Sequence, residues 1–240
     1  MARIAVGIQA RLGSTRFPGK SIALLQGEPL IHWVLRGVSR SQLVDEVVVL
    51  TTTKAQDDEL VDAIGDRATV LRGHPDNVQS RFTHLIEQTH CSHVVRITAD
   101  CPLVDGHLLD DLVRKGTEEQ AEYSHILAQA YYEQAFPNGL NGEYFSVAAF
   151  EKMKRLGTDT RHHEHVTLAV DEFPTEFNIG RLTPPPEWSR PGIKLSVDTR
   201  ADLEQIQQVV RILGPHARDA SVGDIIQAID QLPGTERSVA

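Results

Sequence analysis

The stretch at residues 9–20, QARLGSTRFPGK, decides the reading of this chain. It follows a short apolar run (Ile4, Ala5, Val6, Ile8) and gathers two glycines, three cations and two hydroxyls into one turn. An apolar strand thus delivers a basic, hydroxyl-rich loop. Such a loop suits a polyphosphate, because glycines let backbone N–H groups approach an anion while Arg11, Arg16 and Lys20 neutralise its charge. The plainer alternative is a solvated basic turn. The loop matches neither the three-glycine dinucleotide fingerprint nor the Walker pattern: Gly19-Lys20-Ser21 ends like a Walker loop, but Ser14 stands where its leading glycine would be.

Outward from the loop, the chain alternates. Leu30, Ile31, Trp33, Val34, Leu35 and Val38 recur at helical spacing after Pro29, and the β-branched run EVVVL at 46–50 leads to Thr51, Thr52 and Thr53 and an acid-started helix over about 57–64. A third strand at 68–71 runs into Arg72-Gly73-His74-Pro75, followed by a helix capped at Asp76 or Asn77. A fourth strand, HVVRI at 93–97, ends in Thr98-Ala99-Asp100, and Asp105 caps the next helix. Strands alternating with helices predict a three-layer α/β/α domain with a mostly parallel central sheet. In such sheets ligands gather at the carboxyl ends of the strands, which places the Gln9 loop, Thr52, Arg72 and Asp100 along one edge.

Beyond residue 120 the rhythm changes. Strands are expected at 123–127 and 143–145, a helix capped at Ser146, a continuous helix over about 160–170, an extended segment at 176–182, and a last strand at 193–197 ending in Asp198-Thr199 before a helix to about 213. Ser221 opens the final helix with a capping box, and the tail at 233–240 is expected to fray. We expect one domain over 1–232, with a nucleotide-binding half to about 120, an acceptor half with dimer contacts to about 200, and C-terminal helices thereafter.

With 240 residues and 40% hydrophobic content the chain can bury one sizeable core. A formal charge of −9 argues against a general nucleic-acid binder, whose affinity needs many cation–phosphate contacts. No apolar run approaches the length of a membrane span and the N-terminus lacks a signal-peptide core, so no membrane partner and a cytoplasmic address are expected. Cys91 and Cys101 are expected to be free thiols.

Asp100 and Asp198 fall at the ends of two expected strands far apart in sequence. Carboxylates so placed can hold Mg²⁺ against nucleotide phosphates, since that ion takes one or two protein carboxylates and completes its octahedron with phosphate and water oxygens. Each could instead be only a helix cap. The run HHEH at 162–165 lacks the HExxH spacing of a zinc site and has no nearby cysteine, which favours a polar helix surface or a site for an anionic second substrate.

Taken together, QARLGSTRFPGK at 9–20, RGHPDNVQSRF at 72–82, RITADCPLVD at 96–105 and LSVDTRADLE at 195–204, with EHVT at 164–167, resemble the SpsF-type cytidylyltransferase family, nucleotidyltransferases of glycosyltransferase-A type. The resemblance spans nearly the whole chain. It implies attack of an acceptor oxygen on the α-phosphate of CTP, with pyrophosphate leaving. In that scheme Arg11, Arg16 and Lys20 are catalytic. Gln9, Ala10, Leu12, Gly13, Ser14, Thr52, Arg72, Gly73, Gln79 and Arg81 bind the nucleotide, and Asp100 and Asp198 hold Mg²⁺. The resemblance also implies a homodimer. Where family members often read GLDVEVF, this chain reads GLNGEYF at 139–145, and His163 replaces the usual arginine before EHVT. Asn141, Glu143, His163 and His165 are therefore the acceptor-pocket candidates, for a small anionic acceptor. Competing expectations are a nucleotide-sugar-dependent glycosyltransferase and a catalytically silent nucleotide-binding module.

Overall fold

In the computed structural model, which describes residues 2–232, the chain alternates strictly at first. Strand β1 (Ile4–Gln9) leads through the basic loop and a short β2–β3 ribbon (Leu24–Leu25, Glu28–Pro29) to helix α1 (Leu30–Val38). Then follow β4 (Glu46–Thr52), α2 (Asp58–Ile64), β5 (Thr69–Gly73), α3 (Val78–Thr89), β6 (His93–Thr98) and α4 (Gly106–Glu118). The second half adds β7 (Tyr123–Ile126), β8 (Glu143–Ser146), α5 (Val147–Leu156), α6 (Thr160–Glu164), α7 (Leu168–Glu172), β9 (Ile179–Leu182), α8 (Arg200–Leu213) and α9 (Val222–Ile229). The expected tail at 233–240 lies outside the described residues.

All seven long strands join one sheet in the order β5-β4-β1-β6-β8-β7-β9. β1 pairs parallel with β4 and β6, β4 with β5, and β7 with β9, while β8 runs antiparallel to both its neighbours. One reversed strand in an otherwise parallel sheet is the mixed arrangement expected from the sequence. Its reversal brings the start of β8 to the same edge as the ends of β1 and β6.

Strand side chains alternate between faces, and the core divides accordingly. Ile4, Val6, Ile8, Val49, Val95 and Ile97 pack under α1, α2, α4, α8 and α9; Ala5, Val48, Leu50, Val94 and Phe145 pack under α3, α5 and α7. Because both faces are covered, the central strands read as continuous apolar runs. Helix starts follow the capping residues: Asn77, Asp105, Ser146, Thr199 and Ser221 each accept a first-turn backbone N–H. Cys91 and Cys101 are buried free thiols. No helix among the described residues is long and apolar enough to cross a membrane.

Three expectations are corrected. Residues 193–197 do not form a strand; they make one isolated bridge, between Asn138 and Lys194. Leu195 and Val197 are fully buried as a strand would demand, but their N–H groups donate to the carbonyls of Asn138 and Asp100 instead of joining a ladder. The helix expected at 160–170 breaks into α6 and α7 at His165, and the extended segment at 176–182 shortens to β9 behind a 3-10 turn at Pro174–Glu176.

The 193–197 segment depends on Gly139. That residue has φ +117, and a Cβ there would lie 2.4 Å from the Leu195 carbonyl carbon. Gly139→Ala is therefore expected to lower stability by about 3 kcal/mol, through backbone strain plus overpacking. Urea denaturation measures this, and an unchanged midpoint would show that the segment yields freely.

Candidate active site

Four parallel strands end at one edge, and the loops after β1 and β6 line a charged cavity there, with Glu164 also in its wall. Its wall is the 9–20 loop, with Gln9, Ala10, Arg11, Gly13, Ser14, Arg16 and Lys20 lining it, and opposite stand Asp100, Asp198 and His165. Leu12 turns inward and is buried.

The loop is tied down from beneath. Asp57, fully buried at the start of the α2 turn, accepts the Leu12 N–H at 2.7 Å and the Thr52 hydroxyl. Gly19 N–H returns to the Leu12 carbonyl at 3.0 Å, and Gly19 itself adopts φ +75, turning the chain into the 3-10 helix Lys20–Ile22. Among the described residues, the backbone N–H groups of Gly13, Thr15 and Arg16 have no acceptor, in a loop that lines the cavity.

Three distant segments converge on one ammonium. Lys20 Nζ donates to Asp100 Oδ2 at 2.6 Å, to the Val197 carbonyl at 3.0 Å and to Asp198 Oδ1 at 3.3 Å. Arg16 also reaches Asp198 Oδ1, at 2.9 Å, and Arg11 reaches Glu164 at 3.2 Å. Thr98 Oγ1 donates to Asp100 Oδ1 at 2.6 Å, and Lys194 Nζ lies 3.1 Å from Asp198 Oδ2. Burial pushes the Asp198 carboxyl up, but the Lys194 hydrogen bond and the Lys20 charge hold it below the usual aspartate range. Asp202 accepts the N–H groups of Asp198 and Thr199 as well as Lys194; burial raises its pKa, and these donors bring it down to about 2. Asp198 is thus held ionised, and hydrogen bonds aim both it and Asp100.

The donor set suits a hard divalent cation. Two carboxylates and a carbonyl oxygen surround one positive charge, as Mg²⁺ coordination asks. No group of three or more histidine, cysteine or acidic side chains among the described residues could hold a metal, so a cation here would draw further oxygens from its ligand. His162, from the HHEH run, is buried between Asp159 and Glu172 and makes no such site.

A second cavity adjoins the first at Thr98, and Asn141 and Glu143 line it. Glu143 is saturated: Tyr123 and Thr167 donate to Oε1 at 2.8 Å each, and Arg96 pairs with Oε2. Burial raises its pKa, but the Arg96 charge and these donors outweigh that and hold it below the usual glutamate value. Arg96 Nε and His125 Nε2 are buried in the same cavity without a partner. Asn141 Oδ1 accepts the Gly139 N–H at 2.7 Å, which leaves its amide nitrogen for a ligand. His163 lines neither cavity.

The remaining sequence candidates do not line the phosphate-type cavity. Thr52 points to Asp57. Arg72 is committed to Asp58 and to the carbonyls of Thr52 and Lys54, which secures the β4 end. Gly73 lets Arg81 approach, since a Cβ would lie 2.7 Å from Arg81 Cγ. Gln79 and Arg81 are buried, with Gln79 Nε2 and Arg81 Nε and Nη2 unpartnered. Burial, joined by the Arg11 charge, lowers the Arg81 pKa to about 10. Sequence reasoning missed Asp57, Arg96, Thr98 and Lys194 as site residues. Thr98 and Arg96 were within the RITADCPLVD motif, whereas the roles of Asp57 and Lys194 exist only through tertiary pairing.

This sheet order, carrying a basic loop and two carboxylates at its edge, is that of a nucleotidyltransferase-like fold. The cytidylyltransferase family model matches residues 5–221, and the chain belongs to that family. It is 30% identical over 238 residues to the spore coat polysaccharide biosynthesis protein SpsF of Bacillus subtilis, covering 96% of each chain. It is 37% identical over 107 residues to a 3-deoxy-manno-octulosonate cytidylyltransferase of Bdellovibrio bacteriovorus, covering 45% of this chain and 43% of the relative. Among solved structures, a cytidylyltransferase from Leptospira borgpetersenii superposes with a TM-score of 0.87 at 26% identity, over 96% of this chain and 94% of the other. A CMP:2-keto-3-deoxy-manno-octonic acid synthetase complexed with CTP shares the fold, with a TM-score of 0.63 at 17% identity over 88% and 99% of the two chains.

The Arg96–Glu143 pairing contributes stability that is full above the ordinary glutamate pKa and is lost as pH falls through the lowered value of Glu143. The urea midpoint should therefore drop below about pH 4, and Glu143→Gln should cost about 3 kcal/mol at neutral pH by stranding Arg96. Equal stability of the variant would mean that Arg96 finds solvent. Asp57→Ala should cost about 2 kcal/mol through the loss of two hydrogen bonds to a buried carboxylate, with faster exchange of the Leu12 amide as the local signature.

Proposed function

We propose that this chain transfers CMP from CTP to a small anionic acceptor, a sugar acid, phosphonate or other phosphorylated or carboxylated metabolite, releasing pyrophosphate in surface polysaccharide or glycoconjugate biosynthesis. The observation that carries this reading is the convergence of Lys20, Asp100 and Asp198 beneath a loop that also presents Arg11 and Arg16. The family match and the cytidylyltransferase activities of the relatives favour CTP, and the name of the Bacillus relative favours polysaccharide synthesis.

In this reading the loop N–H groups and its cations receive the triphosphate. The family resemblance would set Gln79 and Arg81 against the base, but both are buried outside the cavity, so they support it only from beneath. Asp100 and Asp198 would hold Mg²⁺, which when bound supplies neutralisation of phosphate charge. The acceptor lies in the second cavity, with its anionic oxygen toward the first. That oxygen bonds to the α-phosphorus as the bond to the bridging oxygen breaks, and the electron pair leaves with pyrophosphate. An ionised acceptor has no proton to lose, so no general base is required. Arg11, Arg16 and Lys20 stabilise the charge that gathers on the leaving group.

Pyrophosphate release with Mg²⁺ and each of CTP, UTP, ATP and GTP, against sugar acids, phosphosugars and phosphonates, tests the proposal. Release restricted to CTP with one acceptor class is expected. Release with another nucleotide alone would overturn the assignment of CTP. Lys20→Ala is expected to lower kcat by about a hundredfold with less effect on nucleotide affinity, the signature of transition-state stabilisation; an equal loss in affinity at unchanged kcat would assign Lys20 to ground-state binding.

A further inference from the structure

We infer that in the nucleotide-free protein the Lys20 ammonium occupies the divalent-cation position, that the Val197 carbonyl is a third protein oxygen of that position, and that an incoming triphosphate draws the ammonium away so that metal and nucleotide enter together. The inference rests on the proposed function for the identity of the nucleotide.

The oxygens decide the geometry. Asp100 Oδ2, Val197 O and Asp198 Oδ1 all face Lys20 Nζ, within 3.3 Å. The other oxygen of each carboxylate is already engaged, Asp100 Oδ1 by Thr98 and Asp198 Oδ2 by Lys194. The three that surround the ammonium are therefore the ones a metal would take, and at Asp198 Oδ1 it would also displace the exposed Arg16, which donates there at 2.9 Å. Val197 N–H donates to the Asp100 carbonyl at 2.8 Å, which locks the two segments together and fixes the carbonyl in place. Such a cage has room for one compact cation, and an ammonium and a divalent ion would repel within it.

The lysine has the means to leave. It sits on the short 3-10 helix that follows Gly19, and its flexible four-carbon stem lets the ammonium move without the loop moving. A triphosphate beside the loop offers anionic oxygens in exchange for the two carboxylates. Without it, expelling the ammonium would leave a largely buried charge, 15% exposed at the side chain, without partners. Metal binding and nucleotide binding are thus coupled through one side chain, and the coupling is reciprocal.

Mn²⁺ binding to the full chain, followed by the electron paramagnetic resonance of the free ion, tests this without turnover. The wild type should bind Mn²⁺ weakly alone, with CTP tightening it by about tenfold or more. Lys20→Met should bind Mn²⁺ without nucleotide about tenfold or more tighter than the wild type does, and CTP should add less. Adding Asp198→Asn to Lys20→Met should abolish the gain. If Lys20→Met melts early, Lys20→Gln, which keeps a donor for Val197 but no charge, gives the same reading. Nucleotide-free affinity equal in wild type and variant overturns the inference, as does equal tightening by CTP in both, an outcome that leaves the CTP assignment standing. A gain in Lys20→Met with no CTP effect in either protein supports the ammonium's place in the cage and removes the nucleotide assignment instead.

Discussion

An ammonium shared between Asp100 and Asp198 is the interaction on which the edge of the sheet depends. It ties together the loop after β1, the turn after β6 and the irregular segment before α8. Without Lys20 the two carboxylates would face each other across a partly buried space with no shared countercharge. With it they are oriented toward one cation. The surrounding groups serve that arrangement: Thr98 and Lys194 fix the far oxygens, while Asp202 holds the backbone that carries Asp198.

The two adjoining cavities differ in how their charges are held. The first sets Arg11, Arg16 and Lys20 against Asp100, Glu164 and Asp198, with Arg11 and Arg16 touching their acidic partners at single, solvent-accessible points. In the second, Arg96 is bound to Glu143, Asp171 adds a further carboxyl whose pKa burial raises, and burial lowers that of His125. The two cavities meet at Thr98.

Much of this was legible in the sequence because local and global signals agreed. β1, β4 and β6 read as apolar runs in the covered centre of the sheet, and Asn77, Asp105, Ser146, Thr199 and Ser221 marked their helices. Lys20 and Asp100 were visible because each follows a strand at the ligand-binding edge. Asp198 was singled out on a mistaken premise, since the alternation of Ile193, Leu195 and Val197 records burial without a ladder. The inward turn of Thr52 toward Asp57, the commitment of Arg72 to Asp58, and the approach of Lys194 to Asp198 are tertiary pairings. No spacing rule announces them. The break at His165 similarly reflects Val166 and Thr167, which are drawn into the core beneath the second cavity.

The reversed strand β8 carries a consequence for how the chain is assembled. It lies between β6 and β7 in space but follows β7 in sequence, so β7 and β9 have no edge to join until β8 is in place. A nascent chain that has emerged only through α4 can close β5-β4-β1-β6, yet leaves β6 as an open edge bearing Val94 and Val95. Such an edge invites pairing with another molecule. The Arg96–Glu143 contact spans directly opposed residues of β6 and β8, so it also fixes the register in which that edge is sealed. The second half of the sheet is thus the last to dock, and a chain stalled before residue 143 would be prone to self-association.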